Sequence, residues 1–239
     1  DRNLIIEGSE TRRKFIDGII CQTNKEYLNT LIDYNKTLKQ RNALLKMFYN
    51  DSENIKKTID IYDNHLSSNA QKIYERRTEF LSDFIPIFKI RYKQLSDDKE
   101  NVEIIHKTDI SESQSLYKLL KNNLEKDLRF QFTTKGIHKD DLTFSINSFS
   151  VKKYGSQGQQ KTFLIALKLA QFDYLSKLNS NPILLLDDIF DKLDDNRVKQ
   201  IINLVNEEKF NQIFISDTNK IRSENIIKKV NKSYKIFEI

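Results

Sequence analysis

The sequence predicts an α/β lobe joined to an α-helical arm, and three observations carry that prediction. An uninterrupted apolar run, Ile183, Leu184, Leu185 and Leu186, ends in two carboxylates, Asp187 and Asp188. Upstream of it, Ser156 with Gln159 three residues later marks a helix start. Two heptad seams fill much of the first third of the chain, between Tyr27 and Phe80.

The lobe is the most informative part. Apolar residues in succession, without alternation, suit a strand buried on both faces in a parallel sheet. Carboxylates directly after such a strand lie at its carboxyl end, where open α/β folds place their ligands. Ser156 and Gln159 form a reciprocal capping box that satisfies two backbone donors. The helix they open carries Phe163, Leu164, Leu167, Leu169 and Ala170, and Pro182 precedes the strand. Read alone, ILLLDD fits equally a core strand with a polar turn; the capped helix, strand and acidic turn in succession point to chemistry. Mg²⁺ takes oxygen ligands, usually one or two carboxylates with water and phosphate. Asp187 is the expected holder of the metal or its water, and Asp188 the residue that orients an attacking water.

The arm follows from the seams. Tyr27, Leu31, Tyr34, Leu38, Arg41, Leu45 and Phe48 alternate steps of four and three. After a break at 50–54 the pattern resumes with Ile55, Ile59, Tyr62, Leu66, Asn69, Ile73, Arg76 and Phe80. Such a seam needs a partner helix, and a short loop between two seams favours an antiparallel hairpin, here over residues 24–85. The second helix, Ile55 to Phe84, would be about 45 Å long. Lys36, Lys39, Arg41, Lys46, Lys56, Lys57, Arg76 and Arg77 are candidates to touch DNA or a partner protein, and the sequence singles out none of them.

Around the arm, residues 1–13 read as a linker or strand belonging to the lobe, with a turn at Gly8 and Ser9. Ser9 or Thr11 would cap a helix bearing Phe15, Ile16, Ile19 and Ile20. Pro86 should end the long helix, leaving strands at 87–93 and 102–105. A helix from Ser113 to Arg129 would bury Leu116, Leu119, Leu120, Leu124 and Leu128. Thr133 to Val151 has hairpin character, with turns near Gly136 and at Asn147-Ser148, and His138 within it reads as a satisfied loop residue. The expected division is therefore 1–13 from the lobe, a mainly helical arm over 14–130 and the lobe proper over 131–239.

Composition sets bounds. A chain of 239 residues, 31% charged and 38% hydrophobic, can bury a sizeable core in one or two domains. No apolar run reaches 18 residues, so no membrane span is expected. One cysteine, Cys21, and three scattered histidines offer neither an internal disulfide nor a zinc constellation. A reducing cytoplasm is the natural compartment. The net charge of +6 permits, without requiring, a polyanionic partner. None of the five glycines stands in a G-x-x-x-x-G-K-[ST] loop, so no phosphate cradle is present.

Ser156, Gln157, Gly158, Gln159 and Gln160 resemble the signature motif of ABC-type ATPases, in the SQGQQ form of the RecF family. Asp187 and Asp188 then match the Walker B pair, and Leu193 with Asp194 the D-loop. IEGSETRRKFID, YNKTLKQRNALLK and GIHKDDL resemble segments of that family in the same order, with Lys139 where arginine more usually follows the histidine. The resemblance implies an ABC-type ATPase head lobe with a P-loop-like parallel or mixed sheet, plus the helical arm. The chain would be the carboxyl-terminal part of a longer protein whose phosphate loop lies upstream. ATP and Mg²⁺ are the implied cofactors, with the signature acting in trans on the nucleotide of a second subunit in a head-to-head homodimer. The implied role is recombinational repair of gapped or stalled replication DNA. It includes binding of duplex DNA and of single-strand/double-strand junctions, action with RecO and RecR in recombinase loading, and a nucleoid-associated location. Asp217 or Thr218 would be the switch residue, although the family pattern often has a histidine there. Other SMC-like heads, or a non-catalytic helical interaction module, are the alternative readings.

Overall fold

The computed structural model describes residues 3–48, 52–111, 114–178, 181–187, 195–205, 210, 212–218, 224–225, 228 and 233–237. In chain order the first elements are α1 (Asn3–Ile6), α2 (Ser9–Thr23), α3 (Lys25–Met47), α4 (Ser52–Ser96), β1 (Val102–Lys107), α5 (Leu116–Asn122) and α6 (Leu124–Phe130). A 3-10 turn at Ile137–Lys139 leads to β2 (Asp141–Ile146), β3 (Phe149–Ser150), α7 (Val151–Tyr154) and α8 (Gln157–Lys177). β4 (Leu184–Asp187), α9 (Asp195–Val205) and β5 (Ile213–Ser216) complete the series. The chain divides into two compact units: Asp1–Ile5 with Phe84–Glu103 and Phe144–Ile239, and Ile6–Asp83 with Ile104–Thr143.

The second of these units is built on α2, α3 and most of α4. Asn24 caps α3 by accepting from the Tyr27 backbone N–H at 2.8 Å. Gly8, not Ser9 or Thr11, occupies the N-cap of α2 and makes no side-chain cap. Thr11 instead donates to Glu7 at 2.6 Å, so the expected cap is spent on a neighbouring side chain. Residues 3–6 form the turn α1 and not a strand.

The seam of α4 is displaced from its expected register. Its buried positions are Ile55, Ile59, Asp63, Leu66, Ala70, Ile73, Arg77 and Phe80, so Asp63, Ala70 and Arg77 replace Tyr62, Asn69 and Arg76. Two ion-pair clusters draw the charged residues inward. Arg41 donates through Nε to Asp63 at 2.6 Å, and through Nη1 to Asp127 at 2.7 Å and Thr133 at 2.9 Å. Arg77 donates to Asp17, to the Ile137 carbonyl and to Asp140, each at 2.9 Å in its shortest contact. A buried charge is tolerated when it is paired, and both guanidiniums are paired, although Arg41 Nη2 and Asp63 Oδ2 have no hydrogen-bond partner among the described residues. Arg41 and Arg77 are therefore interior staples and not candidates for contact with DNA. Lys36, Lys39 and Lys46 are exposed, Arg76 pairs with Glu79, and the side chains of Lys56 and Lys57 lie outside the described residues.

The helix expected at 113–129 is two helices, α5 and α6, bent at Asn123. The Asn123 side chain donates to the Leu119 carbonyl at 2.8 Å, giving the backbone a local alternative to a straight helix. All five predicted leucines are buried. Leu124 and Leu128 join Leu45, Ile55 and Ile59 in one apolar cluster.

Pro86 does not end α4, and residues 87–93 are helical where a strand was expected. Phe84, Ile87, Phe88, Arg91, Tyr92 and Leu95 are buried at helical spacing, while Pro86, Lys89 and Ile90 face outward. Phe163 of α8 anchors this segment, with ring centroids 4.7 Å from Phe88, 5.8 Å from Tyr92 and 5.1 Å from Phe144. Arg91 donates to Asp173 of α8 at 2.6 Å. These contacts, all within one unit, override the local cost of a proline in a helix.

The strands lie in two sheets. One has the order β1-β2-β3, and β2 pairs antiparallel with β3 across the turn at Asn147 and Ser148, whose φ values are 48° and 66°. Both central residues in the left-handed region mark the hairpin turn that suits strand twist. The other sheet pairs β4 and β5 in parallel, with Leu184↔Ile213, Leu185↔Phe214, Leu186↔Ile215 and Asp187↔Ser216 as partners. Burial on both faces of β4 is not found: Leu184 and Leu186 are buried, whereas Ile183 is 55% and Leu185 71% exposed. The inner face shares a small apolar cavity with Ile165 and Leu169 of α8 and Ile201 and Leu204 of α9. The outer face has no covering element among the described residues.

Candidate functional site

The amino terminus of α8 is the first part of the site. Ser156 has extended backbone, φ −60° and ψ 162°, and its Oγ accepts from the Gln159 N–H at 3.1 Å. Gln159 Oε1 accepts from the Ser156 N–H at 2.9 Å, completing the reciprocal box that the spacing predicts. Gly155 enters this turn so closely that a Cβ would stand 2.6 Å from the Val151 carbonyl oxygen, a contact only glycine avoids. Gln160 Nε2 donates to the Gly155 carbonyl at 3.0 Å and buttresses the same turn. Ser156 and Gln157 are exposed, and Gly158 half-buried. First-turn N–H groups of a 21-residue helix, together with the helix dipole, make this end receptive to an anion.

The second part is the carboxyl end of the β4-β5 pair. Asp187 is the last residue of β4, exposed, and in register with Ser216. The Ser216 hydroxyl donates to Asp187 Oδ1. Asp217, half-buried, and Thr218, exposed, follow β5 directly. A strand-end carboxylate with Oδ1 held by a hydroxyl, followed across the pair by Asp217 and Thr218, offers only oxygen donors, the kind a hard cation such as Mg²⁺ takes. Asp188, Leu193 and Asp194 lie outside the described residues. Among the described residues no hydrogen bond joins the turn at Ser156 to Asp187.

Sequence reasoning missed two members of these arrangements. Ser216 was passed over in favour of its neighbours because only the register Asp187↔Ser216 shows that it reaches the carboxylate. Glu100 was not singled out at all, although it accepts from Gln159 of the capping box at 2.9 Å. His138 behaves as a satisfied loop residue. Its Nε2–H donates to the Thr133 carbonyl at 3.0 Å, and its Nδ1 accepts from the Tyr34 hydroxyl at 2.8 Å. Burial pushes its pKa down to about 4.

Comparison with known proteins gives a consistent result. No protein-family model matches the chain. It is 50% identical over 240 residues to the DNA replication and repair protein RecF of Flavobacterium johnsoniae, covering all of this chain and 67% of that protein. Against the protein of the same description from Phocaeicola vulgatus it is 45% identical over 241 residues, covering 64% of that protein. A solved structure described as the recombination mediator protein RecF-ATPrS in the RecFOR pathway matches with a TM-score of 0.78 at 30% identity, over 92% of this chain and 60% of that one. The RecF-ATP structure of the same description matches with a TM-score of 0.77 at 31% identity, over 92% of this chain and 60% of that one. The chain thus spans about two thirds of the length of these curated relatives.

Proposed function

The chain belongs to the RecF family of DNA replication and repair proteins, and on that premise we propose that it is the signature-bearing and Walker B-bearing part of a DNA-binding ATPase that dimerises with ATP. The observation that carries this reading is the open, capped amino terminus of α8, with Ser156 and Gln157 exposed and the turn held rigid by Gln159. The unit containing α8 and β4 corresponds to the ATPase head lobe, and the unit built on α2 and α3 to the helical arm.

In the proposed dimer the γ-phosphate bound by one subunit is met by Ser156 and the Gly158 N–H of the other. Gln157, Gln159 and Gln160 shape that turn. Gly158 carries no Cβ, so a phosphate oxygen can approach the backbone closely. Asp187 would hold Mg²⁺, and the metal would supply positive charge that offsets the negative charge of the phosphate. Asp188 would orient the water that attacks the γ-phosphate, yielding ADP and inorganic phosphate. Leu193 and Asp194 would run between the two sites. Asp217 and Thr218, at the end of β5, stand where a residue sensing the γ-phosphate is required.

ATP then acts as a reversible link between heads: binding closes the dimer on duplex DNA or a single-strand/double-strand junction, and hydrolysis opens it. RecO and RecR are the proposed partners in loading recombinase, in the cytoplasm at the nucleoid. Because no glycine-rich phosphate loop occurs in these residues, the chain by itself would release no phosphate from ATP.

The test is sedimentation of the complete protein with and without ATP and Mg²⁺, with gapped duplex DNA then added. ATP-dependent dimers that bind the DNA, and a Ser156→Arg variant that binds nucleotide but stays monomeric, are the expected outcome. Unchanged dimerisation of Ser156→Arg would overturn the signature assignment.

A further inference from the structure

Glu100 lies between the end of α4 and the start of β1, and three side chains converge on it. Its Oε1 accepts from Gln159 Nε2 at 2.9 Å and from Arg197 Nη2 at 3.2 Å, and its Oε2 accepts from the Tyr92 hydroxyl at 2.5 Å. Glu100 is 14% and Arg197 16% exposed, so the ion pair is largely shielded from solvent. Tyr92 is fully buried. Burial, reinforced by the Glu100 carboxylate, holds its phenol protonated, so it remains a donor.

This arrangement explains why residue 159 is an amide. A capping box accepts Glu or Gln at the third helical position, because either supplies an oxygen to the N-cap N–H. Here that oxygen is Oε1, bound to the Ser156 N–H, and the other end of the amide must donate to Glu100. A glutamate at 159 would set two carboxylates at hydrogen-bond distance in a poorly solvated place, a repulsion that only protonation could relieve. The carboxylate of Glu100 therefore fixes which way the Gln159 amide faces, and with it the turn that carries Ser156. Arg197 sits in the first turn of α9, directly after the residues assigned to the D-loop.

We propose that Glu100 is a positioning residue that locks the signature turn through Gln159 and ties it to α9 through Arg197. The proposal rests on the dimer reading for its functional consequence, but the lock itself does not. A phosphate arriving at Ser156 from a second subunit would meet a turn already set, and any displacement of that turn would pass through one carboxylate to α9.

The experiment uses the complete protein with Gln159→Glu, Glu100→Gln and the two combined. The combined variant re-creates the donor and acceptor pair in reverse: the new glutamate accepts from Ser156 and from the new amide at 100. Two readouts are taken: amide hydrogen exchange at residues 157–161 without nucleotide, and ATP-dependent dimerisation. Losing a hydrogen bond to a charged group predicts about tenfold faster exchange in Gln159→Glu, and about tenfold weaker dimerisation. The combined variant should recover most of both. Exchange in Gln159→Glu equal to wild type, or a combined variant no better than Gln159→Glu, overturns the proposal. Wild-type protein that fails to dimerise with ATP defeats the dimer reading alone, and the exchange data still decide the lock.

Discussion

Ser216 stands opposite Asp187 across the β4-β5 pair, and its hydroxyl donates to Asp187 Oδ1. A strand-end carboxylate is free to rotate unless something holds one of its oxygens. Here the holder comes from the neighbouring strand, in a register set by four consecutive residue pairs.

From this pairing follows the first prediction. Ser216→Ala should leave the fold intact and loosen the orientation of Asp187. In the role proposed above Asp187 holds Mg²⁺, and losing a partner that orients a metal ligand typically weakens metal affinity 10–100-fold. The Mg²⁺ concentration that half-saturates ATP hydrolysis by the complete protein should therefore rise by about tenfold. An unaltered Mg²⁺ dependence would show that Ser216 does not orient the ligand.

The pairing also shows where sequence reading ended. The Ser156 capping box and the Leu184–Asp187 strand were legible because both are local: their geometry is fixed within a few residues. Ser216 was not, because register belongs to a pairing between segments 29 residues apart. Asp63 and Arg77 stand buried where heptad spacing puts Tyr62 and Arg76, for a similar reason. Spacing alone cannot tell which of two adjacent charged residues turns inward, because that is decided by partners such as Asp140, 63 residues from Arg77. Glu100 falls in the charged run DDKEN, which looks like a solvated turn until Gln159 and Arg197 are placed against it. The exposed face of Leu185 was unreadable too, since an apolar run does not state how many of its faces are covered.

The Arg77 cluster predicts a large stability effect. Its guanidinium spans Asp17, the Ile137 carbonyl and Asp140, and Asp140 is itself only 2% exposed. Removing one member of a buried pair strands the other charge, at a cost of about 3–5 kcal/mol. Arg77→Leu should lower the urea midpoint of the helical unit accordingly. Asp63→Asn, which strips the charge facing Arg41, should act in the same direction. An Arg77→Leu protein with an unchanged midpoint would mean that the cluster contributes no net stability.

His138 predicts the pH dependence of that unit. Its folded-state pKa is pushed down to about 4 by burial, with Lys139 and Arg13 adding to the effect against the Thr133 carbonyl and Asp140. An unfolded histidine titrates near 6.5. Between these values the unfolded chain binds the extra proton, so stability is full above about pH 6.5 and falls as pH drops towards 4. The slope from this residue approaches 1.4 kcal/mol per pH unit, roughly 3 kcal/mol across the window. Urea midpoints measured at several pH values should show it. His138→Gln, which keeps a donor for Thr133 and an acceptor for Tyr34, should flatten the curve, and an equally steep curve in that variant would assign the dependence elsewhere.

Pro86 predicts a stabilising substitution. It lies inside α4, on its exposed side, where its ring removes the N–H that would bond the carbonyl four residues earlier. The helix continues because Phe84, Phe88 and Tyr92 bury their rings in the same unit, and Arg91 is paired with Asp173. That packing stays in place when the ring is removed, so Pro86→Ala restores a hydrogen bond and takes nothing from the core. A proline within a helix costs about 3 kcal/mol relative to alanine, partly offset by the stiffer unfolded chain that proline gives. Pro86→Ala should therefore raise the urea midpoint by an amount equivalent to about 1–2 kcal/mol with the slope unchanged. Were Pro86 instead the end of a helix followed by a strand over 87–93, the same substitution would extend a helix into that strand and lower the midpoint, so the sign of the shift discriminates between the two structures.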